Sequence, residues 1–159
     1  MGFFGAYVFD GSSWHDFDPD SAQASEIAER WLSVYIHDSD FAVVRYQPTG
    51  PGSGTAYLGC TPRTYFEDES ASAPTDVQRE AEGLAFWLSL QRGGSGKPGL
   101  RELVASFLAD DAQDELADDG DFADDAGDLD DADVFVEVKV ARFLEAGGLP
   151  VPGELRGAA

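Results

Sequence analysis

The stretch from Phe41 to Cys60 constrains the fold most. Phe41, Val43 and Tyr46 lie in a β-branched, aromatic run, Pro48-Thr49-Gly50-Pro51-Gly52-Ser53-Gly54 interrupts it, and Thr55-Ala56-Tyr57-Leu58-Gly59-Cys60 resumes it. Side chains of the first kind suit a half-buried pleated surface, and Gly with Pro breaks it, so the pattern predicts a β-hairpin. Its connection is longer than a tight turn and is expected to be a flexible surface loop.

The rest of the chain is read around that hairpin. Phe3 to Phe9 is short and aromatic and ends at the turn pair Asp10-Gly11, which predicts a first strand. Ser12 to Asp18, with Trp14, His15 and Phe17, reads as a loop. Asp18-Pro19-Asp20 resembles a helix start, and Ala24, Ile27, Ala28, Trp31, Val34 and Tyr35 follow at helical spacing, predicting a first helix that reaches about His37. Thr61 to Ala73 has neither period. Thr75-Asp76-Val77-Gln78 fits a capping box, Val77, Ala81, Leu84, Ala85 and Leu88 form a stripe beside Trp87, and Gly93-Gly94 stops it, predicting a second helix. Leu100, Leu103, Val104, Phe107 and Leu108 predict a third. Val134 to Leu144 fits strand alternation and helical spacing alike. Acids before it and Lys139 and Arg142 within it favour a helix beginning near Asp133. Leu149 onward reads as an extended tail.

The expected fold is therefore α+β: a small antiparallel three-stranded sheet in the order β-α-β-β-α-α, with helices on one face. Residues 1–92 form the core, 93–99 a Gly-rich connector, and 100–159 a C-terminal helical part within the same domain. That part carries an acidic excursion, 110–133, with 13 acids and no base, and this leaves 18 acids against 10 bases elsewhere.

Charge narrows the function classes. With 31 acids and 10 bases the formal charge is −21, which repels phosphate backbones and anionic lipid. Nucleic-acid and membrane binding are thus disfavoured, and any partner is expected to be basic. No apolar run approaches the ~20 residues that span a bilayer. Met1 to Phe9 lacks the basic start of a signal peptide, and a single cysteine, Cys60, forbids an internal disulfide. A cytoplasmic protein is expected. The absence of Asn, with only two Ile and two Lys, suits a GC-rich bacterial genome.

Two tetrapeptides, His15-Asp16-Phe17-Asp18 and His37-Asp38-Ser39-Asp40, repeat a His-Asp-x-Asp pattern of metal-ligand types. Caps and turns use the same residues. An intervening helix of roughly 18 residues at about 1.5 Å rise would hold the copies on the order of 27 Å apart, too far for one ion. The acidic tract misses the calcium-loop pattern, because Ala117 and Ala126 fall where carboxylates are needed, so only weak divalent cation binding is expected there. Gly94-Ser95-Gly96-Lys97-Pro98-Gly99 follows a helix and contains proline, so it reads as a linker, and no cofactor is predicted. Loops on a rigid scaffold concentrate binding groups. Arg63, Tyr65, Glu67 and Asp68, with Asp118, Asp119 and Asp121 of the tract, are the expected partner-binding residues. The leading expectation is a non-enzymatic binding or immunity-type module that covers a basic protein. The alternatives are a small metal-dependent enzyme built on one His-Asp-x-Asp element, or a housekeeping module whose acidity serves solubility.

Overall fold

A computed structural model describes residues 4–16, 29–94, 98–108 and 136–156. The class is α+β, as expected, but the sheet has five strands where three are predicted. They are β1 (Gly5–Phe9), β2 (Trp14–Asp16), β3 (Trp31–His37), β4 (Phe41–Gln47) and β5 (Thr55–Gly59), in the spatial order β2-β1-β3-β4-β5 with every neighbour antiparallel. The predicted hairpin is the β4–β5 pair, in which Val44 faces Ala56 and Ala42 faces Leu58.

Two predictions between the first strand and the hairpin are overturned. Residues 14–16 are a strand and not a loop: Asp10 turns the chain back by accepting from the Ser12 and Ser13 amides at 2.8 Å, and Gly11 takes a positive φ of 103°. Trp31 to His37 is the middle strand and not the end of a helix. Leu32, Val34 and Ile36 alternate into the core, and pairing on both sides to β1 and β4 satisfies the backbone as a helix would have done. The predicted start of that helix, residues 17–28, lies outside the described residues.

Among the described residues five helical segments follow: α1 (Pro62–Tyr65), α2 (Val77–Gln91), α3 (Leu100–Leu108), α4 (Val136–Ala146) and α5 (Gly153–Arg156). The second, third and fourth agree with the predicted helices, although α2 is capped by Asp76, whose carboxylate accepts from the Arg79 amide at 3.0 Å. The tail expected to be extended closes in the helical turn α5. One face of the sheet, carrying Phe9, Leu32, Tyr46, Val34, Val44, Ile36 and Leu58, is buried with Leu84, Trp87 and Leu88 of α2, Val104 of α3 and Val140, Phe143 and Leu144 of α4. Alternation sends Tyr35, Val43, Arg45, Thr55 and Tyr57 to the other face, where they keep partial or full exposure.

The β4–β5 connection is not the free loop expected. Gly50 lies against the Phe86 ring, and Gly52 lies against Tyr46 and the helix α2 at Gly83. Glu80, 1% exposed, holds it there: its carboxylate accepts from the Tyr46 hydroxyl (2.8 Å), the Ser53 amide (2.9 Å), the Ser53 hydroxyl (2.9 Å) and Arg79 Nε (2.7 Å). Burial works to raise its pKa, but the hydrogen bonds from Arg79, Tyr46 and Ser53 together outweigh it and the carboxyl is held below its ordinary value.

At the other edge the tail is fastened by Tyr7, whose hydroxyl donates to Glu154 Oε2 at 2.5 Å, while Leu149, Val151 and Leu155 are buried. Burial, and after it the Glu154 carboxylate, pushes the Tyr7 phenol well above its usual range. Tyr7→Phe removes the charge-assisted bond without opening a cavity. It is expected to cost about 1 kcal/mol, read as a fall in melting temperature of about 3 °C, and an unchanged melting curve would show that the packed leucines alone hold the tail.

Candidate functional site

The β3–β4 connection is Asp38-Ser39-Asp40. Asp38 and Ser39 both have positive φ, 52° and 61°, and the Asp40 amide donates to the His37 carbonyl at 3.0 Å. Aspartate tolerates this left-handed backbone better than most residues, so the second His-Asp-x-Asp element does the work of a turn. The first helical amide of α4, Val136, donates to the Ser39 carbonyl at 3.0 Å, and the Ser39 hydroxyl donates to Glu137 at 3.0 Å, which anchors the turn to the core.

On this anchored turn sits a cluster of rings. The His37 imidazole stacks on Phe41 at 4.9 Å and meets Phe4, Tyr65 and Phe66 edge-on at 5.2, 5.6 and 5.7 Å. Phe41 is buried, whereas Phe4 is 53% and Phe66 51% exposed. Helix α1 brings Tyr65 and Phe66 here. The Thr61 side chain accepts from the Thr64 amide and Pro62 occupies the first turn, so this stretch, which shows neither period in the sequence, is a short helix. The Tyr65 hydroxyl donates to Asp38 at 3.4 Å. Its phenol is shifted upward by burial first, then by the charges of Asp40 and Asp38. The result is a rigid aromatic surface edged by carboxylates.

The residues expected to bind a partner are distributed unevenly with respect to this surface. Tyr65 is part of it, and Glu67, exposed with a φ of 51°, follows directly. Arg63 donates to the Ser72 carbonyl at 2.8 Å and folds the following loop back on itself. Asp68 is occupied in that loop: it accepts from the Ser70 amide and hydroxyl at 2.8 and 2.6 Å, and these bonds hold its carboxyl below the usual range. Asp118, Asp119 and Asp121 lie outside the described residues, as does Asp18.

The metal candidates are not gathered either. His15 contacts Asp10 at 2.7 Å, a bond that also holds the Asp10 carboxyl low, and Asp16 stands exposed at the end of β2 near Tyr7. His37 is walled by rings, with Tyr35 Oη 3.3 Å from its Nδ1. Through the sheet, His15 lies opposite Val8, which faces Ser33, four residues along β3 from His37. At about 4.8 Å per strand and about 3.4 Å per residue the two histidines are on the order of 17 Å apart, closer than an intervening helix implied but still too far to share an ion. Among the described residues no three His, Cys, Asp or Glu side chains form a group that could hold a metal, and no helix is long and apolar enough to cross a membrane.

Sequence reading reached Tyr65, His37, Asp38 and Asp40 separately and missed that one turn and one short helix bring them together. Phe4 was legible only as part of the predicted first strand, and Phe66 only as an apolar residue within the irregular stretch from Thr61 to Ala73. The fold and site thus define an α+β domain that displays an acid-edged aromatic patch. No family model, curated protein or solved structure matches the chain.

Proposed function

We propose that this chain is a non-enzymatic protein-binding module that covers a basic partner, in the manner of an immunity protein on a cationic toxin. The observation that carries the reading is the pair of half-exposed rings, Phe4 and Phe66, seated on the His37–Phe41–Tyr65 cluster beside Asp38, Asp40 and Glu67. Aromatic faces take up Arg and Lys side chains by cation–π attraction, and neighbouring carboxylates complete the recognition. The overall charge of −21 would speed encounter with a positive surface. A catalytic reading through the His-Asp-x-Asp elements gains no such support, because one element is a hairpin turn and the other leans on Asp10.

The test is affinity capture from cell lysate at low and moderate salt, comparing the natural chain with Phe66→Ala and with Asp40→Asn. A basic protein is expected on the natural chain at both salts. Each variant is expected to weaken its capture about tenfold or more while melting within about 2 °C of the natural chain, since both side chains are exposed. Failure to retain any basic protein at either salt would remove the reading.

A further inference from the structure

The outer face of the sheet carries a second feature with the opposite electrostatic character. Between β3, β4 and β5 on one side and the chain from Pro62 to Arg79 on the other lies an open groove of about 610 Å³. Its floor is Tyr35, Arg45, Thr55 and Tyr57, and its walls include Ser72 and Arg79. The chain has 31 acids among its residues, yet none of the described residues lining this groove is acidic, and two are arginines.

The two arginines differ. Arg79 is committed through Nε to Glu80 at 2.7 Å, so its charge is balanced by a buried carboxylate behind the wall. Arg45 is exposed on its strand and has no hydrogen bond or ion pair among the described residues. Lining the groove, this guanidinium is paired to no carboxylate of the described residues. Ser72 adds a second sign: its Oγ is buried at the groove wall and has no partner among the described residues. Buried hydroxyls are almost always satisfied, by protein, water or ligand.

We infer that the groove is a binding site for a small molecule bearing a carboxylate or phosphate on a flat apolar body. The oxyanion pairs with the fork of Arg45 donors, which matches either group in two-point geometry. The body lies along the Tyr35 and Tyr57 rings and Val43, while the hydroxyls of Thr55 and Ser72 supply further polar contacts. The volume falls within the range of about 300–1,000 Å³ that small-ligand sites occupy. The net negative charge of the chain does not forbid this, because at physiological salt charges beyond about 8 Å are largely screened and the groove's own residues decide. The groove adjoins the aromatic patch, since Tyr35 of its floor reaches His37 Nδ1 at 3.3 Å, but Arg45 and Ser72 are not part of the patch and the site does not depend on the binding of a basic partner.

Titration of the full chain, followed by amide resonances, tests the assignment with three probes: phenyl phosphate, benzoate and the neutral benzyl alcohol. Either anion is expected to move the resonances of Arg45, Thr55, Tyr57 and Ser72 with a dissociation constant of about 1 mM or lower, and which of the two binds more tightly identifies the anionic group. Benzyl alcohol is expected to leave them in place. Arg45→Gln is expected to weaken the anion about tenfold or more, with Arg45→Lys in between because it keeps the charge but loses the fork. Absence of shifts with both anions at about 10 mM, equal shifts with benzyl alcohol, or an unchanged affinity in a folded Arg45→Gln variant would each overturn it.

Discussion

Glu80→Ala is expected to be the most damaging single substitution in the described fold, lowering stability by about 3–5 kcal/mol. Four donor groups bond to this carboxylate, and they fare differently when it is removed. Arg79 is largely exposed and turns to water. Tyr46 is 1% exposed and its hydroxyl keeps no acceptor, and the Ser53 amide loses the bond that seats the β4–β5 connection on α2. Each stranded donor costs about 1–3 kcal/mol, and the vacated volume adds to that. Urea unfolding measures the loss, and a cost below about 1 kcal/mol would mean that the connection holds its place by packing alone.

The same carboxylate sets a pH dependence. Its pKa in the folded chain lies below the ordinary value of 4.5, so unfolding raises it. The stability it contributes is complete above that ordinary value and is lost as pH falls through the lower folded value. Glu80→Gln keeps the shape and one acceptor oxygen but cannot ionise. The stability gap between the natural chain and Glu80→Gln is therefore expected to be constant from pH 7 to about 5 and to narrow below it. A gap that widens on acidification would contradict the depressed pKa.

How much of this was legible follows from which interactions decide each element. The β4–β5 hairpin and helices α2 and α3 declare themselves because alternation, caps and apolar stripes are local properties of their own residues. In α4, Val136, Val138 and Val140 fit both periods, and the placement of acids before bases breaks the tie in favour of the helix that forms. Trp31 to His37 breaks the other way. Being a central strand it is apolar on both faces, so Trp31, Val34 and Tyr35 also fall on a helical stripe, and only its partners β1 and β4, distant in sequence, select the strand. The site shares that non-local origin: Tyr65 and His37 are 28 positions apart and Phe4 is farther still, so their meeting is a property of the sheet. Glu80 did leave a trace. It lies three residues after Val77 and four before Leu84, an acid on the apolar stripe of α2, and such a residue must find buried donors.

Gly83→Ala is expected to destabilise by about 2–3 kcal/mol, opposite in sign to its usual effect. Within a helix this exchange ordinarily stabilises by about 1 kcal/mol, since glycine has more freedom to lose on folding. Here α2 passes so close to the β4–β5 connection that an added Cβ would fall 2.8 Å from Gly52 Cα and 2.9 Å from Gly52 N, besides striking the Tyr46 hydroxyl. Two of those atoms are backbone and have no rotamer to change, so the connection must lift. Lifting it pulls Ser53 away from Glu80. Gly52→Ala drives a methyl into the same gap from the opposite side, against Tyr46 and 3.2 Å from Glu80 Oε1. Once either methyl has pried the gap open the second meets less resistance, so the double variant is expected to lose clearly less than the sum of the single losses. Urea unfolding of the three variants measures the coupling. A Gly83→Ala chain as stable as the natural one would show that the connection does not rest on α2, and the role assigned to Glu80 would fall with it.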